Sequence, residues 1–338
     1  MLTIFHVGYP KAASTMLQKQ LFALHPSLIN LGLYPSSNIG NDNVKPLDQE
    51  NFDKIPYLSD SRIKALYKIL TQSGGLEFDF EAAKSLWQQI ANDYATSNSH
   101  REISSNIVLS HEAVTSGRFA HPEILEKARR IREVFGCIKI IMICRRQQEM
   151  LKSLYRDHPF DPRSLESRPR PVGFREWLAI DLERGPLSLT KSLYFDRAAS
   201  VFEDLFGQDN VLVLPMELLQ SDLRLFSEQI SGFLGIEYEP TYLLLDNPPI
   251  NAGISAYGYK YRLMKAKLMP WIKYLGPLKK YLLPLEGFVF DFLKSHGAPA
   301  EITIDNDQEQ FLKQLFAKDN ASLANRRKLP LHDLGYYL

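Results

Sequence analysis

The chain has 338 residues, 45% of them hydrophobic and 23% charged, with a formal net charge of +1. This is ordinary globular composition, enough for one large domain or a domain with a helical insertion, and the near-neutral balance gives no general argument for nucleic acid. Two cysteines, Cys137 and Cys144, make neither a disulfide framework nor a zinc pattern and fit a reducing compartment; no basic leader and no unbroken span of about twenty apolar residues is present.

Leu2–Val7 reads as a buried strand that Gly8 and Pro10 break. Ser14 and Thr15 are N-cap types, and residues 16–24 have helical spacing. A strand, a tight loop and a helix start aim backbone N–H groups and the positive helix end at one point, which makes an anion site. Lys11 adds a mobile charge, and Ser14 and Thr15 add hydroxyls. The spacing is not that of the usual nucleotide-triphosphate loop, because the lysine comes early.

Residues 28–33 suggest a second short strand, and the polar stretch 35–53 a loop. Helical periodicity over 60–70 and 80–94 makes residues 34–105 a helical insertion, either shaping an acceptor pocket or simply packing on the sheet. Asn106–Leu109 is the next strand and ends in Ser110-His111-Glu112. Titratable groups at a strand's carboxyl end sit where open α/β sheets place ligands. A histidine there takes a proton near neutral pH, and a glutamate does so if desolvation raises its pKa. Either His111 or Glu112 is a candidate base; alternatively one orients the other, or His111 only caps the strand.

Residues 121–135 form an amphipathic helix, and 138–144 a β-branched strand. Arg145 follows, with Ser153 eight positions on, about two helical turns away. An arginine fork and a hydroxyl suit a phosphate. Residues 157–171 read as a loop whose arginines either meet an anionic acceptor or are solvated. Helices follow over 174–182 and 194–206, a fifth strand over 210–214, and a helix through 226–236. Residues 247–300 make a basic, aromatic segment: no acid occurs from Asn247 to Leu285, while Lys260, Arg262, Lys265, Lys267, Lys273, Lys279 and Lys280 do. That stretch is either a contact for an anionic membrane or acidic acceptor, over 255–285, or a solvated face with lysines lying over core aromatics. The expected fold is α/β: a P-loop-type three-layer fold with a central, mostly parallel sheet of about five strands, flanked by helices, with helical insertions, in a single domain over 1–338.

The Lys11 loop and the strand–Arg145–Ser153 motif, in that order, resemble the 5′-phosphosulfate and 3′-phosphate motifs of the sulfotransferases that use 3′-phosphoadenosine 5′-phosphosulfate (PAPS). Ala13 stands where a glycine is common, and Met16 where cytosolic members carry tryptophan. Ser110-His111-Glu112 is similar to the family's base position, a histidine in some members and a glutamate in others. The resemblance implies nucleotide contacts from Lys11, Ala12, Ala13, Ser14, Thr15, Met16, Arg145, Ser153, Tyr194, Asn251 and Gly253, with Tyr194 near the adenine and Asn251 in a late loop closing on the 3′-phosphate end. It implies catalytic roles for Lys11, His111, Glu112 and Ser153, with Ser153 holding Lys11 back until the acceptor arrives. The co-substrate would be PAPS and the product 3′-phosphoadenosine 5′-phosphate (PAP), with no metal. The acceptor would be a hydroxyl of a sugar, lipid headgroup, phenol or natural product. Golgi-type members carry a membrane anchor, so a cytoplasmic, bacterial-type enzyme is expected. The rivals are an ATP-dependent P-loop kinase and a non-catalytic, membrane-associated nucleotide-binding protein.

Overall fold

The computed structural model describes residues 2–31, 60–97, 106–115, 123–164, 169–247, 254–272, 289, 292–293 and 296–338. Five strands, β1 Thr3–His6, β2 Leu28–Asn30, β3 Asn106–Ser110, β4 Lys139–Cys144 and β5 Val211–Pro215, form one sheet in the order β2-β3-β1-β4-β5. Every pairing is parallel, so the sheet is parallel throughout rather than mostly so. Such sheets are covered on both faces and their strands are apolar runs. Ile140–Cys144, for example, are all buried. Side chains alternate across β1: Phe5 meets Tyr67 and Phe135 on one face, with ring centroids 6.1 and 5.8 Å away, and His6 meets Phe22 on the other at 5.5 Å.

The chain runs from β1 out to β2, returns through β3, and crosses to β4 and β5. Strands β3, β1 and β4 therefore sit side by side at the point where the winding reverses, and ligands bind in the crevice beyond the carboxyl ends of such strands. The expected loop, the His111-Glu112 pair and Arg145 leave these three adjacent strands at that same edge.

Helix α1 (Ser14–Met16) runs on into π-helical turns over Leu17–Phe22. Neither Ser14 nor Thr15 is the N-cap. Ala13 holds that place in the left-handed region, at φ 57°, and supplies no side-chain cap. The inserted helices α2 (Ser61–Gln72) and α3 (Phe80–Ser97) pack on each other and on α4 (Ile124–Phe135). The Tyr67 hydroxyl on α2 accepts from Ser110 N at 2.9 Å and donates to Leu31 O at 3.2 Å, so the insertion is tied to the end of β3.

After β4 come α5 (Gln147–Asp157), α6 (Phe174–Glu183), α7 (Phe195–Phe206), α8 (Leu218–Ser221), α9 (Leu223–Leu234), α10 (Tyr238–Leu245), α11 (Ala256–Ile272) and α12 (Asn306–Arg327). The α9 helix stops at Gly235, whose φ of 67° is the left-handed conformation that ends helices. Between α5 and α6, Asp161 accepts hydrogen bonds from Arg163 and Arg170. These arginines close their own loop rather than standing free.

The start of α5 is fastened from behind. Gln147 Nε2 donates to Asn320 Oδ1 at 2.6 Å, Asn320 Nδ2 returns a bond to Gln147 Oε1 at 3.1 Å, and both residues are fully buried. Arg146 N donates to Glu217 Oε1 at 2.9 Å, and the Tyr336 hydroxyl donates to the other carboxylate oxygen at 2.8 Å. A buried amide pair with every group satisfied is rigid, so the turn carrying Arg145 has a fixed position.

Candidate active site

The loop after β1 is built for close approach. A methyl at Gly8 would stand 2.5 Å from His6 Cε1 and 2.6 Å from Ser14 Oγ. Only glycine fits there, because the loop crosses directly over the His6 ring. Lys11 and Ala13 both have positive φ, 68° and 57°. Each costs about 1–2 kcal/mol for a residue with a Cβ, and the left-handed conformation at Ala13 is the reason a glycine suits that place. Alternating conformations of this kind turn successive N–H groups toward one point. The first N–H groups of a helix have no partner within it, and Ala13 offers no side chain to cap them. Ala12 is fully buried, with its N–H given to Tyr9 O at 3.2 Å; Thr15 and Met16 are half-buried.

Arg145 reaches this loop directly. Its Nη1 donates to Lys11 O at 2.9 Å, so the two cations expected from distant parts of the sequence share one wall. The Lys11 ammonium forms an ion pair with Asp157, the last residue of α5. Ser153 lies one turn earlier on the same helix. Asp157 is thus the residue that the Lys11 ammonium meets here, a full opposite charge making a stronger partner than a hydroxyl.

Glu112 opens a single 3₁₀ turn, Glu112–Val114, after β3. Burial raises its carboxyl pKa, while a hydrogen bond with Ser14 and the nearby Lys11 charge pull the other way. Ser14 thus does not cap its helix; its one hydroxyl proton stands between two acceptors, Tyr9 O at 3.1 Å and the Glu112 carboxylate. His111 points elsewhere. Its Nδ1 accepts from Ala113 N at 3.1 Å, and its ring lies on Tyr67, with centroids 4.7 Å apart. Burial and the charge of Lys127 hold its pKa down to about 4, so at neutral pH it is uncharged, with its Nδ1 lone pair committed.

Lys127 was not anticipated. It is 2% exposed, and its Nζ donates to Ala113 O at 2.6 Å. Burial and neighbouring Arg130 lower its pKa to about 8. Ala113 is consequently held on both sides, its N–H by His111 and its carbonyl by Lys127, and this fixes the turn that carries Glu112. The signal was present in the sequence: Lys127 falls on the apolar stripe of α4, between Ile124 and Ile131. In a Lys127→Met variant the charge opposing protonation of His111 is gone. The His111 pKa is then expected to rise from about 4 while staying below 6.5, because burial remains. Histidine ring-proton titration by NMR reads this, and an unmoved midpoint would contradict the arrangement.

No protein-family model matches the sequence. No curated protein matches it either. Solved structures do align. A sulfotransferase from Alicyclobacillus acidocaldarius is 17% identical over 83% of this chain and 96% of its own, with a TM-score of 0.42. The sulfotransferase domain of a Synechococcus olefin synthase is 15% identical over 93% and 94%, at 0.41. A sulfotransferase domain from the curacin biosynthetic pathway is 13% identical over 72% and 77%, at 0.38. At such distances the site rests on its own geometry.

Tyr194 precedes α7, with the Arg197 guanidinium 4.4 Å from its ring centroid and Phe316 packed at 5.6 Å. Its neighbour Phe195 packs on Tyr9 of the loop at 4.9 Å, while the contacts of Tyr194 itself are with Arg197 and Phe316. Asn251 and Gly253 lie outside the described residues. Cys137 is exposed and Cys144 buried, and both are free thiols. Among the described residues no group of His, Cys, Asp and Glu could hold a metal ion, and no helix is long and apolar enough to cross a membrane.

Proposed function

We propose that the chain is a sulfotransferase that moves a sulfuryl group from PAPS to an acceptor hydroxyl. The observation that carries this reading is the meeting of three groups at one sheet edge: the Lys11 loop, Arg145 bonded to that loop, and a desolvated Glu112 beside Lys11 and Ser14. The loop's positive-φ residues and its uncapped helix start fit a phosphosulfate. Arg145 and Ser153 would hold the 3′-phosphate, Tyr194 would border the adenine, and Asn251 and Gly253 would close over the nucleotide. PAPS supplies an activated sulfur whose leaving group is the phosphate of PAP.

Glu112 is the base in this reading. Its raised pKa suits proton removal, while His111 has no lone pair to offer without releasing Ala113. As the acceptor oxygen bonds to sulfur, its proton passes to Glu112. The bond between sulfur and the bridging oxygen breaks toward the phosphate, and Lys11 and the loop N–H groups stabilise charge on that oxygen. Lys11 must leave Asp157 for this. The catalytic effect is positioning and electrostatics, with no covalent help from the protein. Titration calorimetry of PAP against ATP with magnesium tests the assignment. PAP is expected to bind more tightly by at least about tenfold, about 1.4 kcal/mol; preference for ATP would make the protein a kinase instead.

A further inference from the structure

Helix α11 docks on the end of α5 and leaves an outward stripe. Its inner side is docked: the Tyr259 hydroxyl bonds the Tyr155 hydroxyl at 3.3 Å, and Arg262 Nη1 donates to the carbonyl of Asp157, the residue that holds Lys11. Gly258 and Ala266 on that side are buried. Tyr257, Lys260, Met264 and Lys267 follow at helical spacings of three and four, and all four are exposed. Tyr257 is 60% and Met264 51% accessible, although an aromatic and a methionine in a solvated face are expected to turn inward. Exposed apolar and cationic side chains therefore share this stripe, with the Tyr257 ring edged by Gly297. No acidic residue occurs from Asn247 to Leu285 to neutralise them.

We propose that this stripe docks on an anionic lipid surface. The occupant has to offer negative charge and apolar depth in one plane. A bilayer containing anionic lipids does so, with phosphates for the lysines and the headgroup boundary for Tyr257 and Met264. Tyr259 and Arg262 dock the same helix against the end of α5, so the lipid-facing helix is one that touches the residue pairing with Lys11. If the function proposed above holds, a headgroup hydroxyl becomes the favoured acceptor class.

The test is co-sedimentation of the full chain with phosphatidylcholine vesicles, with and without about one-third phosphatidylglycerol. Binding is expected only with the anionic lipid. Each lysine near such a surface contributes roughly fivefold, the equivalent of ~1 kcal/mol. Lys260→Glu with Lys267→Glu should therefore lower the partition by at least about 30-fold, and Tyr257→Ser with Met264→Ser should weaken the part of binding that survives added salt. Equal partition of the charge variant, equal binding to neutral vesicles, or no vesicle binding by the wild type each overturns the proposal. PAP calorimetry on the same samples separates the two readings. Vesicle binding without PAP binding leaves the surface and removes the sulfotransferase; PAP binding without vesicle binding does the reverse.

Discussion

Glu112→Gln is expected to cut transfer turnover by roughly 10²–10⁴-fold while PAP affinity stays within about twofold. General-base removal costs a factor of this size, and the amide keeps the shape of the turn that His111 and Lys127 hold. The pH behaviour carries a sign that can be checked. Burial raises the Glu112 pKa above its ordinary 4.5, so wild-type turnover should rise with pH along a limb displaced upward from the ordinary carboxylate range. The same shift acts on stability. A carboxyl whose folded pKa exceeds its unfolded one contributes stability below the unfolded value and loses it as pH rises through the folded value. Glu112→Gln should therefore be more resistant to denaturant than the wild type at pH 7, and the difference should vanish near pH 4. Turnover measured as PAP released from PAPS with a productive acceptor, together with denaturation at both pH values, reads all of this. Undiminished turnover would return the base role to His111.

Arg145→Ala is expected to weaken PAP binding by roughly 30-fold, about 2 kcal/mol, the usual worth of a hydrogen-bonded charged contact. Two losses combine: the cation that the proposed function sets against the phosphate, and the bond from Nη1 to Lys11 O that steadies the loop. Arg145→Lys should restore only part of the affinity, because an ammonium cannot bond the loop carbonyl and a phosphate with a fixed fork. The turn itself should survive, since Arg146, Gln147 and Glu217 hold it independently. Calorimetry decides this, and a loss below about threefold would remove Arg145 from the nucleotide site.

Much of the fold could be read from local pattern. The apolar runs at β1, β3, β4 and β5 are strands in the structure, and the periodic segments at α2, α3, α4, α6, α7 and α9 are helices. Boundaries moved where neighbours decide them, as at β2, which ends at Asn30. The helix start after the loop was misread because cap propensity is a local preference, whereas the crossing over His6 forces Ala13 into the left-handed region and sends Ser14 to Tyr9 and Glu112. The loop arginines near Asp161 were ambiguous in the sequence for a related reason: an exposed cation and a paired one look alike until the partner is placed.

The order of residues along the chain determined which chemistries are available: a lysine with hydroxyls in a tight turn, an arginine leaving one strand, and a histidine and glutamate leaving another. Only the tertiary structure decided how they are shared out. Packing β3 and β4 on either side of β1 brings Arg145 to the loop and gives Lys11 a carboxylate rather than a hydroxyl. The state of His111 depends on its burial and, after that, on Lys127, a buried charge on a different helix that lowers the imidazole pKa further and bonds the carbonyl of Ala113. Such interactions act through space between residues far apart in the chain. A periodicity reports which face of an element is buried, but not which charge from another element lies against it.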